Sequence, residues 1–193
     1  EKQFYRGFID SRYSDDIDVL ISPSDLAKAS RLLMTEGYSQ REPYDVTKLA
    51  NFLEQHEAWF RWRDVGFKKQ SIGQECIDLH WRIADEFTIP IKGKFLIEHP
   101  NMILVNGEYV PGLPFSTLFV YVCVHGYIDY FFRLRYLVDV YTAMQQSEFD
   151  FDEITKIAKE WGVFDKVLAS MATAENFFST NVKPFKEPLN TSG

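Results

Sequence analysis

Cysteine is nearly absent. The 193 residues hold two, Cys76 and Cys123, far apart and without CxxC spacing. That excludes a disulfide-built secreted scaffold and leaves two reduced, buried thiols as the expectation. No basic segment followed by an apolar stretch and a small-residue cleavage site opens the chain, so no secretory leader is expected, and the cytoplasm is the working location. Long uninterrupted hydrophobic runs are also missing. The most apolar window, residues 115–132, contains His125, Gly126 and Asp129, which favours a buried core helix over a membrane span. Positive charge is short: 21 Lys and Arg against 28 Asp and Glu give a net charge of −7. An extended nucleic-acid surface is therefore not expected, while a local basic cleft for a nucleotide stays compatible. There is no GxSxG turn, P-loop, kinase-type loop or GxGxxG, which removes the usual cradles of acyl transfer, P-loop hydrolysis and dinucleotide oxidoreduction.

What the chain does have is apolar and aromatic mass. It is 46% hydrophobic and 16% aromatic, with 17 Phe and 10 Tyr, enough to exclude disorder and fill a large core. Its length suits one domain with a helical annex. In "ISPSDLAKASRLLMTEGY", Ser22 as cap, Pro23 in the first turn, Asp25 three residues after the cap and Gly37 as the stop predict a helix, so the strand before it ends near Ile21. Leu26, Ala29 and Leu33 share the face that packs on the sheet. A second helix is predicted over residues 47–57. "WFRWRDV" and "ECIDLHWRI" alternate as two strands able to pair antiparallel. The second puts Ile77, Leu79, Trp81 and Ile83 on one face and Cys76, Asp78, His80 and Arg82 on the other.

Residues 87–114, with their prolines and the "VNGEYV" turn signal, read as loop and hairpin. Beyond them the period becomes helical over 115–131, 133–144, 151–161 and 164–178. The expected fold class is thus α+β, with three parts. Residues 1–114 form the α+β domain, 115–178 a helical subdomain, and 179–193 a flexible tail rich in polar residues and proline.

The acids carry the chemistry. In a strand, residues two apart point the same way, so Asp16 and Asp18 share a face about 7 Å apart along the chain while Ile17 points into the core. Asp15, on the other face, is expected to be exposed. Paired carboxylates at a strand end repel, and a cation between them is the usual reason to keep both ionised. Magnesium suits such hard oxygen ligands because substrate phosphates and water complete its octahedron. A two-metal phosphoryl-transfer site needs a third acid. Asp78, costly in an apolar strand unless its face opens into a site, is the candidate, with His80 and Arg82 extending that face. The plainer alternatives are a solvated turn acid and a helix-proximal cap for the first pair, and an ion pair of Asp78 with Arg82 or Arg61. His80 and His125 lack HxxxH spacing, so zinc is not expected. Arg135 either pairs with Asp139 four residues on or, with Arg133, reaches substrate phosphates.

The pattern Arg12, then Asp16-Ile17-Asp18 followed by "VLI", a helix opening with "SPSD", and "EGY" at its end resembles the nucleotidyltransferase family of the DNA polymerase β-like superfamily. "IDLHWRI" and "VHGYIDYFFRLRYLVDVYTA" are similar to that family's later segments, so the likeness runs from Phe4 to Met144. The resemblance implies a small mixed sheet bearing Asp-x-Asp and a third acid on a neighbouring strand. It also implies magnesium, and transfer of a nucleoside monophosphate from a nucleoside triphosphate to an acceptor that the residues do not specify. Carried over residue by residue, it makes Asp16 and Asp18 metal ligands, makes Asp78 a ligand or base, and turns Arg12 to the phosphates.

One departure stands out. The superfamily's glycine-containing turn before Asp-x-Asp binds the triphosphate through backbone N–H groups. Here fifteen residues precede Asp16, and Gly7 of "YRGF" lacks the accompanying serine. Either the natural start lies upstream or the grip is degenerate. The alternative to an enzyme is therefore a non-catalytic binding or interaction protein on the same fold, or a toxin–antitoxin component.

Overall fold

The computed structural model describes residues 16–42, 45–56, 63–69, 75–84, 93–105 and 107–181. The chain divides into two compact units, one ending at Pro114 and the other beginning at Phe115. The fold is α+β, a small mixed sheet with flanking helices followed by a helical C-terminal half.

In the first unit, β1 (Ile17–Leu20) leads through a 3-10 turn (Pro23–Asp25) into α1 (Leu26–Thr35). The turn is where the sequence differs from its simplest reading. The Ser22 side chain caps no backbone N–H; its hydroxyl lies 2.8 Å from that of Ser24, and the α-helix begins only at Leu26. Gly37, with φ +88°, follows the helix end as expected. Then come β2 (Ser39–Gln40), α2 (Val46–His56), β3 (Asp64–Lys69) and β4 (Glu75–His80).

The sheet order is β1-β4-β3-β2. β1 runs parallel to β4, and the other two pairings are antiparallel. Alternation gives this sheet two unlike faces. On one, Val65, Phe67, Leu79 and Trp81 are buried against Leu26 of α1 and Ala50 and Leu53 of α2, with Ala29, Leu33 and Ile77 packed around them. The acids occupy the other face.

Three expectations need correction here. The third strand runs over Asp64–Lys69, overlapping the expected "WFRWRDV" at Asp64 and Val65 and continuing beyond it; Val65 and Phe67 carry the buried alternation, and residues 59–62 lie outside the described residues. Ile17 is not core: it remains 63% exposed, because β1 is the edge strand and Ile17 its first residue. Cys76 is only half-buried, unlike Cys123, and both are free thiols. The segment read as loop and hairpin holds the short α3 (Gly93–Glu98) besides the hairpin itself, β5 (Asn101–Val105) and β6 (Glu108–Gly112), whose turn has Gly107 at φ +88°.

The second unit is all helix: α4 (Phe115–Ile128), α5 (Leu134–Met144), α6 (Phe151–Glu160) and α7 (Phe164–Asn181). α4 is apolar all round and nearly every residue from Ser116 to Gly126 is buried, as befits the helix that the other three pack against. Its end is pinned by Phe131, whose N–H donates to the Gly126 carbonyl at 2.8 Å and whose ring lies where a side chain at 126 would stand. Tyr130 and Phe131 both take the left-handed backbone conformation, unusual for bulky residues. Asp150 caps α6 by accepting from the N–H groups of Asp152 and Glu153. Residues 179–181, expected as the start of the tail, belong to α7, and residues 182–193 lie outside the described residues. No helix among the described residues is long and apolar enough to cross a membrane.

Candidate metal centre

The parallel register sets Asp18 beside Asp78 and Leu20 beside His80. The antiparallel register on the other side of β4 sets Gly66 beside Asp78 and Asp64 beside His80. Residue partners in a ladder project to the same face. Arg41 extends the first row, its N–H donating to the Gly66 carbonyl at 2.8 Å. One row across the polar face therefore reads Arg41, Gly66, Asp78, Asp18, and the next carries Asp64 and His80. Positions sixty residues apart in sequence become neighbours through strand pairing alone.

Asp18, Asp78 and His80 each offer one donor atom, and these atoms all lie within 4.8 Å of one another, a spacing that one divalent ion can bridge. Two carboxylate oxygens suit magnesium or manganese, while an imidazole nitrogen shifts the preference toward manganese or zinc. The donor set therefore fits a divalent cation. The members differ in depth. Asp78, on a central strand, is 9% exposed, whereas the side chain of Asp18, on the edge strand, is 57% exposed and open to a substrate.

Each carboxylate is held by a nitrogen partner. His80 Nε2 lies 3.0 Å from Asp18 Oδ1, and His80 Nδ1 lies 3.9 Å from Asp64 Oδ2. Arg41 Nη2 donates to Asp78 Oδ1 at 2.6 Å. Burial pushes the Asp78 carboxyl above its ordinary range, against the opposing pull of Arg41, and the charges of Asp64 and Asp16 push it the same way as burial. Burial acts to lower the Arg41 guanidinium, but the Asp78 charge and their hydrogen bond outweigh it and hold it above its usual value. Arg63 Nε also lies 3.6 Å from Asp64 Oδ2, so among the described residues the acids of this face meet the guanidiniums of Arg41 and Arg63 and the imidazole of His80.

Of the residues singled out from sequence, Asp18, Asp78 and His80 come together. Asp16 precedes β1, is exposed, and stands outside that trio while its charge still acts on Asp78. Arg82 is buried just past the end of β4. Arg12 and Asp15 lie outside the described residues. Arg135 belongs to the helical unit, where its guanidinium sits 5.6 Å from the centre of the Tyr136 ring. Asp139, its suggested partner, is fully buried on the same helix. The alternative placed Asp78 on an edge strand, paired with Arg82 or Arg61; the strand is central and Arg41 is the cation seen at Asp78, while Arg61 lies outside the described residues.

Arg41, Asp64 and Gly66 were not foreseen. Arg41 follows a two-residue strand, too short for any periodic signal. Gly66 was detectable in principle, since an isolated glycine between apolar strand residues marks close approach by another group.

A search of curated proteins found no match. A family model described as an uncharacterised nucleotidyltransferase matches residues 2–179, so that the Asp-bearing sheet and the helical half both fall within it, and the chain belongs to that family.

Proposed function

We propose that this protein transfers a nucleoside monophosphate from a nucleoside triphosphate to an acceptor, using a divalent ion held at Asp18 and Asp78, with magnesium the expected ion. The observation that carries the reading is the ladder partnership of those two residues, which aligns two carboxylates on the sheet face opposite the one packed by α1 and α2, in a member of a nucleotidyltransferase family. A bound ion would offset charge on the phosphoryl oxygens and lower the pKa of the acceptor hydroxyl.

The protein's own groups divide the remaining work. Asp78, deep and fixed between two strands, supplies the stationary ligand or accepts the hydroxyl proton. Asp18, at the exposed edge, meets the substrate side. His80 orients Asp18 through their hydrogen bond and stands beside Asp64, a supporting contact of the kind that fixes a ligand's direction. Asp16 adds a further carboxylate for an ion or for a second one. Arg12 and Arg82 remain the proposed phosphate contacts.

The test is metal-dependent binding and turnover of the four nucleoside triphosphates, followed by calorimetry and pyrophosphate release. Asp18→Ala and Asp78→Ala should abolish both with circular dichroism unchanged, and Asp16→Ala should weaken them. Equal metal-dependent binding by the wild type and both of the first two variants counts against the reading. Folded wild-type protein that binds nucleotide without metal, and turns none over, favours a non-catalytic nucleotide-binding module instead.

A further inference from the structure

Asp78 already has a cation at its side. Arg41 reaches across β3 to place Nη2 2.6 Å from Asp78 Oδ1. That path exists because residue 66 is glycine: a Cβ there would overlap Nε, Cζ and Nη2 of the Arg41 guanidinium. Gly66 does not have the left-handed backbone that would otherwise call for glycine. Its lack of a side chain therefore serves the guanidinium and not the strand. The guanidinium is also not locked in, since the Arg41 side chain is 36% exposed and can swing toward solvent.

We propose that Arg41 is a displaceable counter-cation, which neutralises Asp78 while the centre is empty and is driven off by an incoming divalent ion, so that Arg41 sets the metal affinity. This deepens the proposed metal reading and rests on it. The physical argument is charge placement. Asp18 and Asp64 share the face of Asp78, and the charges of Asp64 and Asp16 act on it; Arg63 stands beside Asp64, and Arg41 is the positive group at Asp78 itself that offsets this repulsion. A divalent ion does the same work with twice the charge, and the two cannot both sit on Asp78 without repelling one another. Using the second oxygen of Asp78 does not remove the conflict, because the ion and the guanidinium would then flank the same carboxylate. Arg41 and the metal are therefore rivals. A guanidinium is well suited to the resident role: it stays charged at any working pH and bonds a carboxylate directionally.

The experiment uses the full chain and Mn²⁺ alone, without nucleotide, read by electron paramagnetic resonance of free Mn²⁺ and by calorimetry. Arg41→Gln should tighten Mn²⁺ binding about tenfold, the change expected from removing one competing charge-assisted bond. Gly66→Ala, which keeps the arginine but blocks its seat, should shift affinity the same way by a smaller factor, and it decides the matter if Arg41→Gln does not fold. Asp78→Asn should remove binding in every background. Unchanged or weaker Mn²⁺ binding in folded Arg41→Gln and Gly66→Ala, with wild-type binding still lost in Asp78→Asn, overturns the role of Arg41 and leaves the metal centre standing. Absence of Mn²⁺ binding in the wild type and in Arg41→Gln alike overturns both.

Discussion

Replacing Asp78 by asparagine should make the metal-free protein more stable, although it removes the partner of Arg41. The side chain is nearly isosteric, so packing is kept and the charge alone is lost. Its donor oxygen lies within 4.8 Å of the Asp18 donor. Two unit charges at that distance repel by about 1 kcal/mol in water and about 3 kcal/mol at an effective dielectric of about 20. Against this relief stands the bond to Arg41, about 1.5–3 kcal/mol when charged on both sides and about 1 kcal/mol when an amide oxygen accepts instead. Burial first, and then Asp64 and Asp16, raise the Asp78 carboxyl despite the opposing pull of Arg41, so folding shifts this group toward its protonated form relative to the unfolded chain, which is the direction of the relief.

The net gain for Asp78→Asn is about 1 kcal/mol near neutral pH, or roughly 2–4 °C in Tm for a chain of this size. Because the folded-state carboxyl titrates above its unfolded value, the wild type is favoured at acid pH and loses that contribution as pH rises through the folded value. The advantage of the variant should therefore be largest at about pH 7.5 and should shrink toward about pH 4. Thermal melts in EDTA followed by circular dichroism measure it. Added Mn²⁺ should invert the order by raising only the wild type. A variant that melts several degrees below the wild type in EDTA at neutral pH would refute the idea that the acids are held against net repulsion.

Other perturbations test the scaffold. Phe67→Ala empties a fully buried position between β3 and the covering helices, and chemical denaturation should report a loss of about 3–5 kcal/mol. Asp150→Ala removes the acceptor of two N–H groups at the start of α6; the same measurement should show a loss of about 1 kcal/mol, with the first-turn amides exchanging faster. Gly126→Ala sets a methyl against the Phe131 ring and the Tyr136 Cβ. It should cost about 1–3 kcal/mol by overpacking, whereas Gly66→Ala meets only the Arg41 guanidinium and should lose no more than its charge-assisted bond to Asp78, about 1.5–3 kcal/mol.

The sequence carried the two periods that built this fold, and each was readable where it was long enough. Six alternating residues from Glu75 to His80 placed Asp78 and His80 on the face opposite Ile77 and Leu79. The helical period placed Leu26, Ala29 and Leu33 against the sheet. The relation between Asp18 and Asp78 rested on family likeness, because nothing local says which strand lies beside which. Short or partnered features were silent. β2 has two residues, so neither its existence nor the delivery of Arg41 to Asp78 could be read. α3, six residues in a segment broken by prolines, gave way to the loop signals around it. Ile17 shows the converse error: alternation assigned it correctly to the face opposite the acids, but alternation knows nothing of where the covering helices end.

The packing of α1 and α2 on one face of the sheet is what assigns the acids to the other. A sheet strand presents every second residue to each face, so a chain that buries Val65, Phe67, Leu79 and Trp81 against two helices must present Asp64, Gly66, Asp78 and His80 on the opposite side, whatever those residues are. Position on that side is inherited from the core. A one-residue slip of β4 would carry Asp78 into the apolar layer and Leu79 out of it, at a cost no fold of this size could bear. The apolar pattern therefore fixes which face the acids occupy, and the parallel pairing of β1 with β4 fixes which acids meet. Between them they hold Asp18 and Asp78 together without any contact made for that purpose. Chemistry specific to this protein is then left to the few groups that the register does not dictate, and Arg41, arriving from outside the long strands, is foremost among them.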